Sequence, residues 1–299
     1  MTVLDEMQFE LLPSLTAADG QVFGIGAEVS VDEDGFIPGD DDWTNEDEEN
    51  PRRGGTSFGR DLLAGPTWGF DLHVNREDVA GAIETLGRFK TAWRALHIRQ
   101  TPGRVIPLRY RLDGRERRIY GRPRRFSAPP NNLILGGFIP ITCDFKAVDS
   151  FTYDDVEQVV VLGLQQGSEG GFTFPVTFPV TSLPVGSSAD QAVVGGDAPT
   201  YPVVRFNGPV TNPSLETAAW TLKLNREIQA GEYVEVDLRP WATTVLLNGV
   251  SSVAGALSRR TYLADMAFEP GRHDLIYRGS SLASSSTCEV RWSNAHNSI

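Results

Sequence analysis

Between Tyr201 and Tyr277, short runs of alternating apolar residues are cut by turn signals at close spacing, and nothing between them resembles a crossover helix. Val203, Arg205 and Phe206 lead into Asn207-Gly208, a strong turn pair, and Asn212-Pro213 reads as a second turn. Trp220, Leu222 and Leu224 alternate with Thr221, Lys223 and Asn225, the period of a strand with one wet face. After Ala230-Gly231 the residues from Tyr233 to Leu238 alternate again. Val245-Leu246-Leu247 ends at Asn248-Gly249, and Glu269-Pro270-Gly271 separates Phe268 from Leu275-Ile276-Tyr277. Such a series predicts an antiparallel β-sandwich over residues 201–299, with Trp220, Tyr233, Trp241 and Phe268 available for its core.

The preceding segment, 164–200, is rich in Gly, Pro, Ser and Val and contains F-T-F-P-V-T-F-P-V-T. Repeated proline excludes a helix and disfavours a central strand, so the segment reads as an extended linker arm. The expected domains are therefore 1–163, the arm 164–200, and the sandwich 201–299. In the first domain, strands are expected at Gln8 to Leu12, Val22 to Val31, Phe58 to Val74 and Leu133 to Phe145. Gly24 and Gly26 lack the third glycine and the lysine of a phosphate-binding loop, and read as small residues on a strand. One helix is expected over residues 76–96, capped by Asn75, with Glu77 and Asp78 at its positive end. Its apolar stripe is Val79, Ala82, Ile83, Leu86, Phe89, Trp93 and Leu96. The fold class is thus mostly β, with one helix in the N-terminal domain.

Charge is unevenly placed. The chain carries net −12 with a pI near 4.8, which argues against a whole-chain nucleic-acid binder. Residues 32–55 hold a run of Asp and Glu with no basic residue before Arg52, so a long exposed loop is expected there. Its D-E-D-G and D-D-D-W stretches lack the spacing of a calcium loop. Arg104 to Arg125 has the opposite character, a hairpin around Asp113-Gly114 with nine arginines. A basic hairpin with tyrosines can bind nucleic acid. In an acidic chain it can equally meet the acidic loop of a neighbouring copy, and Arg109, Arg111, Arg115, Arg117 and Arg118 are the candidate subunit-interface residues on that reading.

Signals for chemistry are weak. His73, His97, His273 and His296 are not at metal-ligand spacing, and Cys143 and Cys288 stand alone, which is no disulfide scaffold. There is no G-x-S-x-G elbow. Glu232, Glu235 and Asp237 are the candidates for a glycosidase-like carboxylate pair and read better as solvent-side strand residues. No catalytic, cofactor or metal site is expected, and the chain is read as not an enzyme. The first residues lack a secretory leader pattern and no apolar run is long enough to span a bilayer, so a soluble product of the cytoplasm is expected.

The order N-G-P, N-P-x-L, G-E-x-V-x-V-D, V-x-x-N-G and P-G-x-H-x-L, at residues 207–275, resembles the C-terminal half of the distal tail (Dit) proteins of long-tailed siphophages. Gly65-Pro66-Thr67-Trp68-Gly69-Phe70 resembles the minor tail proteins of actinobacterial phages. The resemblance implies a galectin-like C-terminal sandwich and an N-terminal half that forms a hexameric ring at the tail tip. It implies as partners the tail tube protein, the tail-tip hub protein and the tape-measure protein, with DNA passing through the lumen without specific binding. A virion protein assembled in the host cytoplasm is the expected localisation, and a lectin-like sandwich recognising host surface glycan is the alternative function.

Overall fold

Trp68, Phe70, Leu72 and Val74 alternate along the strand Thr67–Asn75, all on its buried face. In the computed structural model, which describes residues 2–40, 42–50, 52–130, 132–164, 190–259, 261–280 and 286–298, this strand lies between Phe138–Ala147 and Val29–Ile37. The sheet continues from Phe138–Ala147 through Arg115–Ser127, Ile106–Leu112 and Gln8–Leu11 to Gln21–Gly24, antiparallel throughout. Thr152–Asp154 pairs with Arg115–Ser127 and with Ala295–His296. The chain divides into two units, Met1–Asp155 with Ala295–Ile299, and Val156–Asn294.

In the first unit the helix Val79–Arg94 covers the sheet and buries Ala82, Thr85, Phe89 and Trp93. Phe23 sits between Phe70 and Phe89 at 5.3 and 5.4 Å, and Trp93 is 5.8 Å from Phe23, mostly edge-to-face. Such pairs add about 0.5–1.5 kcal/mol each beyond area burial. The helix starts later than expected. Asn75 is the last residue of its strand, paired with Phe138, and the cap is Asp78, whose carboxylate accepts from the Gly81 N–H. Ile83 and Leu96 of the expected stripe are exposed, because Ile83 sits one residue around from Ala82 and Leu96 lies past the left-handed Ala95 that ends the helix. Leu133 to Phe145 is not one strand: a 3-10 turn, Asn132–Gly136, precedes Phe138–Ala147.

The second unit is a sandwich. One sheet runs Gln158–Gly163, Thr287–Trp292, Val203–Asn207, Tyr233–Asp237, Thr244–Leu247, Ser251–Ser252. The other runs Asp190–Val194, Gly271–Ser280, Val210–Glu216, Thr221–Lys223, with Glu227–Ile228 also on Val210–Glu216. Val204, Phe206, Val234 and Val290 from the first meet Leu215, Leu222, Leu275 and Tyr277 from the second in one core. Trp220 and Phe268 join it, stacked at 5.4 Å, whereas Tyr233 and Trp241 are only partly buried.

The unit boundaries differ from those expected. Gln158–Gly163, placed in the first domain, pairs with Thr287–Trp292; Asp190–Val194, placed in the arm, pairs with Gly271–Ser280; Ala295–His296, placed in the sandwich, pairs with Thr152–Asp154. Each short strand goes where a long-range partner has an open edge, which local pattern does not specify. The F-T-F-P-V-T-F-P-V-T run lies outside the described residues. Two turn signals also serve other ends. Asn207-Gly208-Pro209 carries the chain from one sheet to the other, and a Cβ on Gly208 would stand 2.1 Å from the Gln229 carbonyl oxygen, so only glycine fits. Asn212, at φ 52°, with Pro213 forms a bulge inside Val210–Glu216, where the register slips between Thr211 and Ser214.

Candidate assembly surface

The arginine-rich hairpin folds as expected but faces inward. Ile106–Leu112 and Arg115–Ser127 join through Asp113-Gly114, both at positive φ, and the Glu6 carboxylate accepts from both backbone N–H groups of that turn. Arg109 and Arg118 are directly opposite across the ladder and therefore share a face. That face is covered by chain from elsewhere. Arg109 is 1% exposed; its guanidinium donates to the Glu10 carboxylate and to Asp155, with Nη2 2.8 Å from Oδ2. Arg118 Nε donates to Asp155 Oδ1 at 2.9 Å. Arg117 donates to the Ser298 carbonyl at 2.7 Å and to Thr152 Oγ1 at 3.3 Å. Buried charges persist only when paired, since the water they lose must be replaced. Glu10, 0% exposed, is the matching acid and also accepts from the Gly20 N–H.

The structure places the five expected subunit-interface residues differently. Arg109, Arg117 and Arg118 are buried and hydrogen-bonded within this chain. Arg111 is half-buried against the Leu4 carbonyl and Glu116, and Arg115 alone of the five is exposed.

Other arginines remain at the surface. Arg94 ends the helix, Arg99 ends the short helix Leu96–Arg99, and Arg104, Arg124 and Arg125 are exposed with Arg122 half-buried among them. Arg122 donates to the carbonyls of Arg104 and Thr101, and Arg99 to those of Arg94 and Pro123. Partial burial, then the charges of Arg124 and Arg99, lower the pKa of Arg122. Among the described residues none of these six has a carboxylate within ion-pair distance. Sequence position gave no warning, because these arginines gather from two helix ends, a loop and a strand.

The acidic run is not a plain loop. Asp42–Thr44 pairs with Leu62–Ala64, and Glu48–Glu49 pairs with Thr56–Ser57, so residues 42–50 and 52–64 form a two-stranded ribbon growing from between Val29–Ile37 and Thr67–Asn75. Almost every side chain on it is exposed, including Trp43 at 58%, Phe58 at 85% and Leu62 at 47%.

The groups considered for chemistry are engaged elsewhere. Glu235 accepts from Arg205 at 2.7 Å and from Arg291 at 2.8 Å; Asp237 is held by Arg239, and Glu232 accepts from the Gln229 N–H. His73 meets Asp32 and His296 meets Asp154, while His97 and His273 reach backbone carbonyls. Burial pushes the thiols of Cys143 and Cys288 well up. Among the described residues no group of three ligating side chains gathers at one point.

Solved structures share this fold. The crystal structure of the SPP1 Dit protein aligns with a TM-score of 0.54 at 12% identity, covering 96% of this chain and 98% of that one. The phage P2 baseplate, in its activated conformation with Ca, contributes a chain with a TM-score of 0.56 at 12% identity, covering 95% and 97%. No curated protein sequence matches. The model of the family described as siphovirus-type tail component, C-terminal domain, matches residues 195–296. Residues 195–296 are thus similar to a tail-component domain, and the chain shares the fold of the Dit proteins. The family match spans most of the second unit, and the ribbon and the arginine patch both lie in the first.

Proposed function

We propose that this chain is a distal tail component that builds a closed six-fold ring in the virion, joining the tail tube to the tail-tip hub, with the genome passing through its lumen. The observation that carries the reading is the presence, on one unit, of two unlike surfaces of opposite charge, as a head-to-tail interface requires. Near full-length likeness to the SPP1 Dit protein, described as a paradigm of the hub adsorption apparatus in phages infecting Gram-positive hosts, supports the same role. The net charge of −12 per copy suits a conduit, since a lumen of that sign repels DNA phosphates instead of trapping them. The tape-measure protein is a further partner on this reading. Arg111 and Arg115 stay available to a neighbour. Sedimentation of the purified chain at low salt, with negative-stain imaging, should give a ring of six copies. A monomer at high concentration and low salt refutes the proposal.

A further inference from the structure

The ribbon 42–64 is the least self-sufficient element of the first unit. A lone two-stranded hairpin is marginal in water, and this one buries almost nothing. Residues 40–61 carry eight acids against three arginines, and Trp43, Phe58 and Leu62 add bare apolar surface. The patch of Arg94, Arg99, Arg104, Arg122, Arg124 and Arg125 has the reverse need: crowded guanidinium groups with no carboxylate partner among the described residues, beside Leu96, itself 67% exposed. Guanidinium groups bind both of the things the ribbon offers, carboxylates by paired hydrogen bonds and aromatic faces by stacking.

The two surfaces are separate on the subunit. The ribbon leaves the sheet at its edge strand Val29–Ile37 and at Thr67–Asn75. Arg122, Arg124 and Arg125 lie on Arg115–Ser127, which is separated from that edge strand by Phe138–Ala147 and Thr67–Asn75. Each strand step is about 4.8 Å, and the segment 42–49, with strands at Asp42–Thr44 and Glu48–Glu49, spans at most roughly 25 Å at about 3.3 Å per residue.

We infer that the ribbon of one copy docks on the arginine patch of a second copy of this chain. This inference rests on the ring reading and names the surfaces that close it. Contacts between exposed charges weaken with salt, so assembly should loosen as ionic strength rises.

The test is a charge swap in the full chain, with circular dichroism to establish that each variant is folded. Arg124→Glu with Arg125→Glu reverses the charge at two exposed positions of the patch, and Glu48→Lys with Glu49→Lys reverses it at two exposed positions of the ribbon. Each double variant alone should self-associate at least about tenfold more weakly in sedimentation at low salt. Mixing the two should restore assembly in part, because the unaltered ribbon of one variant then meets the unaltered patch of the other, and the altered positions face each other with exchanged charges. A ribbon that docked on its own subunit's patch would give no rescue on mixing, and that result overturns the inference. If the unaltered chain forms rings and Arg124→Glu with Arg125→Glu forms them equally well, the inference fails while the ring reading stands. If the unaltered chain stays monomeric, both fail. Retention of double-stranded DNA that is lost in Arg124→Glu with Arg125→Glu, with assembly unchanged, assigns the patch to nucleic acid and also overturns it.

Discussion

Replacing Arg109 with methionine separates the two uses an arginine run can have. Arg109 is 1% exposed and lies between Glu10 at 0% and Asp155, with Arg118 on the far side of Asp155. Methionine keeps much of the volume but leaves the Glu10 carboxylate buried without a cation, its remaining contact being the Gly20 N–H at 2.7 Å. Removing one partner of a buried ion pair costs about 3–5 kcal/mol, a large share of the about 5–15 kcal/mol that holds a domain folded. With a urea slope of about 2 kcal/mol per M, the unfolding midpoint of the first unit should fall by about 2 M. Amide exchange along Ile106–Leu112, followed through a urea series, reads that unit apart from the sandwich. Arg115→Met is the control: Arg115 is exposed, and the change should stay within about 0.5 kcal/mol. Glu10→Gln combined with Arg109→Met should recover part of the loss, since both charges then leave together. If Arg109→Met and Arg115→Met shift the midpoint equally, the buried network does not hold the hairpin and the reasoning is wrong.

A fragment beginning at residue 201 should be much less stable than one covering 156–294, because it lacks one strand from each sheet, Gln158–Gly163 and Asp190–Val194, with the buried Leu162, Ala192 and Val194. Leu162 and Val194 alone stand for about 1.5–3 kcal/mol each, and equal thermal midpoints for the two fragments would contradict the assignment. Asp149 supplies a pH dependence. Burial raises its pKa to about 7, opposed by hydrogen bonds from Tyr153 and the Phe151 N–H. The folded state then holds a proton that the unfolded chain releases near pH 4, so this group's contribution falls as pH rises from about 4 to about 7 and is level above that. Asp149→Asn should flatten that slope in unfolding midpoints measured from pH 4 to 8; an unchanged slope would exclude Asp149 as its source.

Local chemistry determined the elements. Period-two runs bounded by Asn-Gly, Pro-Gly and Ala-Gly signals gave antiparallel strands, because strand alternation and turn geometry are properties of a few adjacent residues. The helix was legible from its stripe, and its start was missed only because the ladder had already taken Asn75. The hairpin around Asp113-Gly114 was legible too. What faces each side of it was not: Arg109 finds Glu10 across 99 residues, and Arg117 finds the Ser298 carbonyl across 181. A strand's pattern tells that a face is polar and cannot tell whether water or another part of the chain satisfies it. The same limit hid the unit boundaries, since an edge strand is fixed by its partner's open backbone groups, and it hid the surface patch, whose arginines are brought together only by folding.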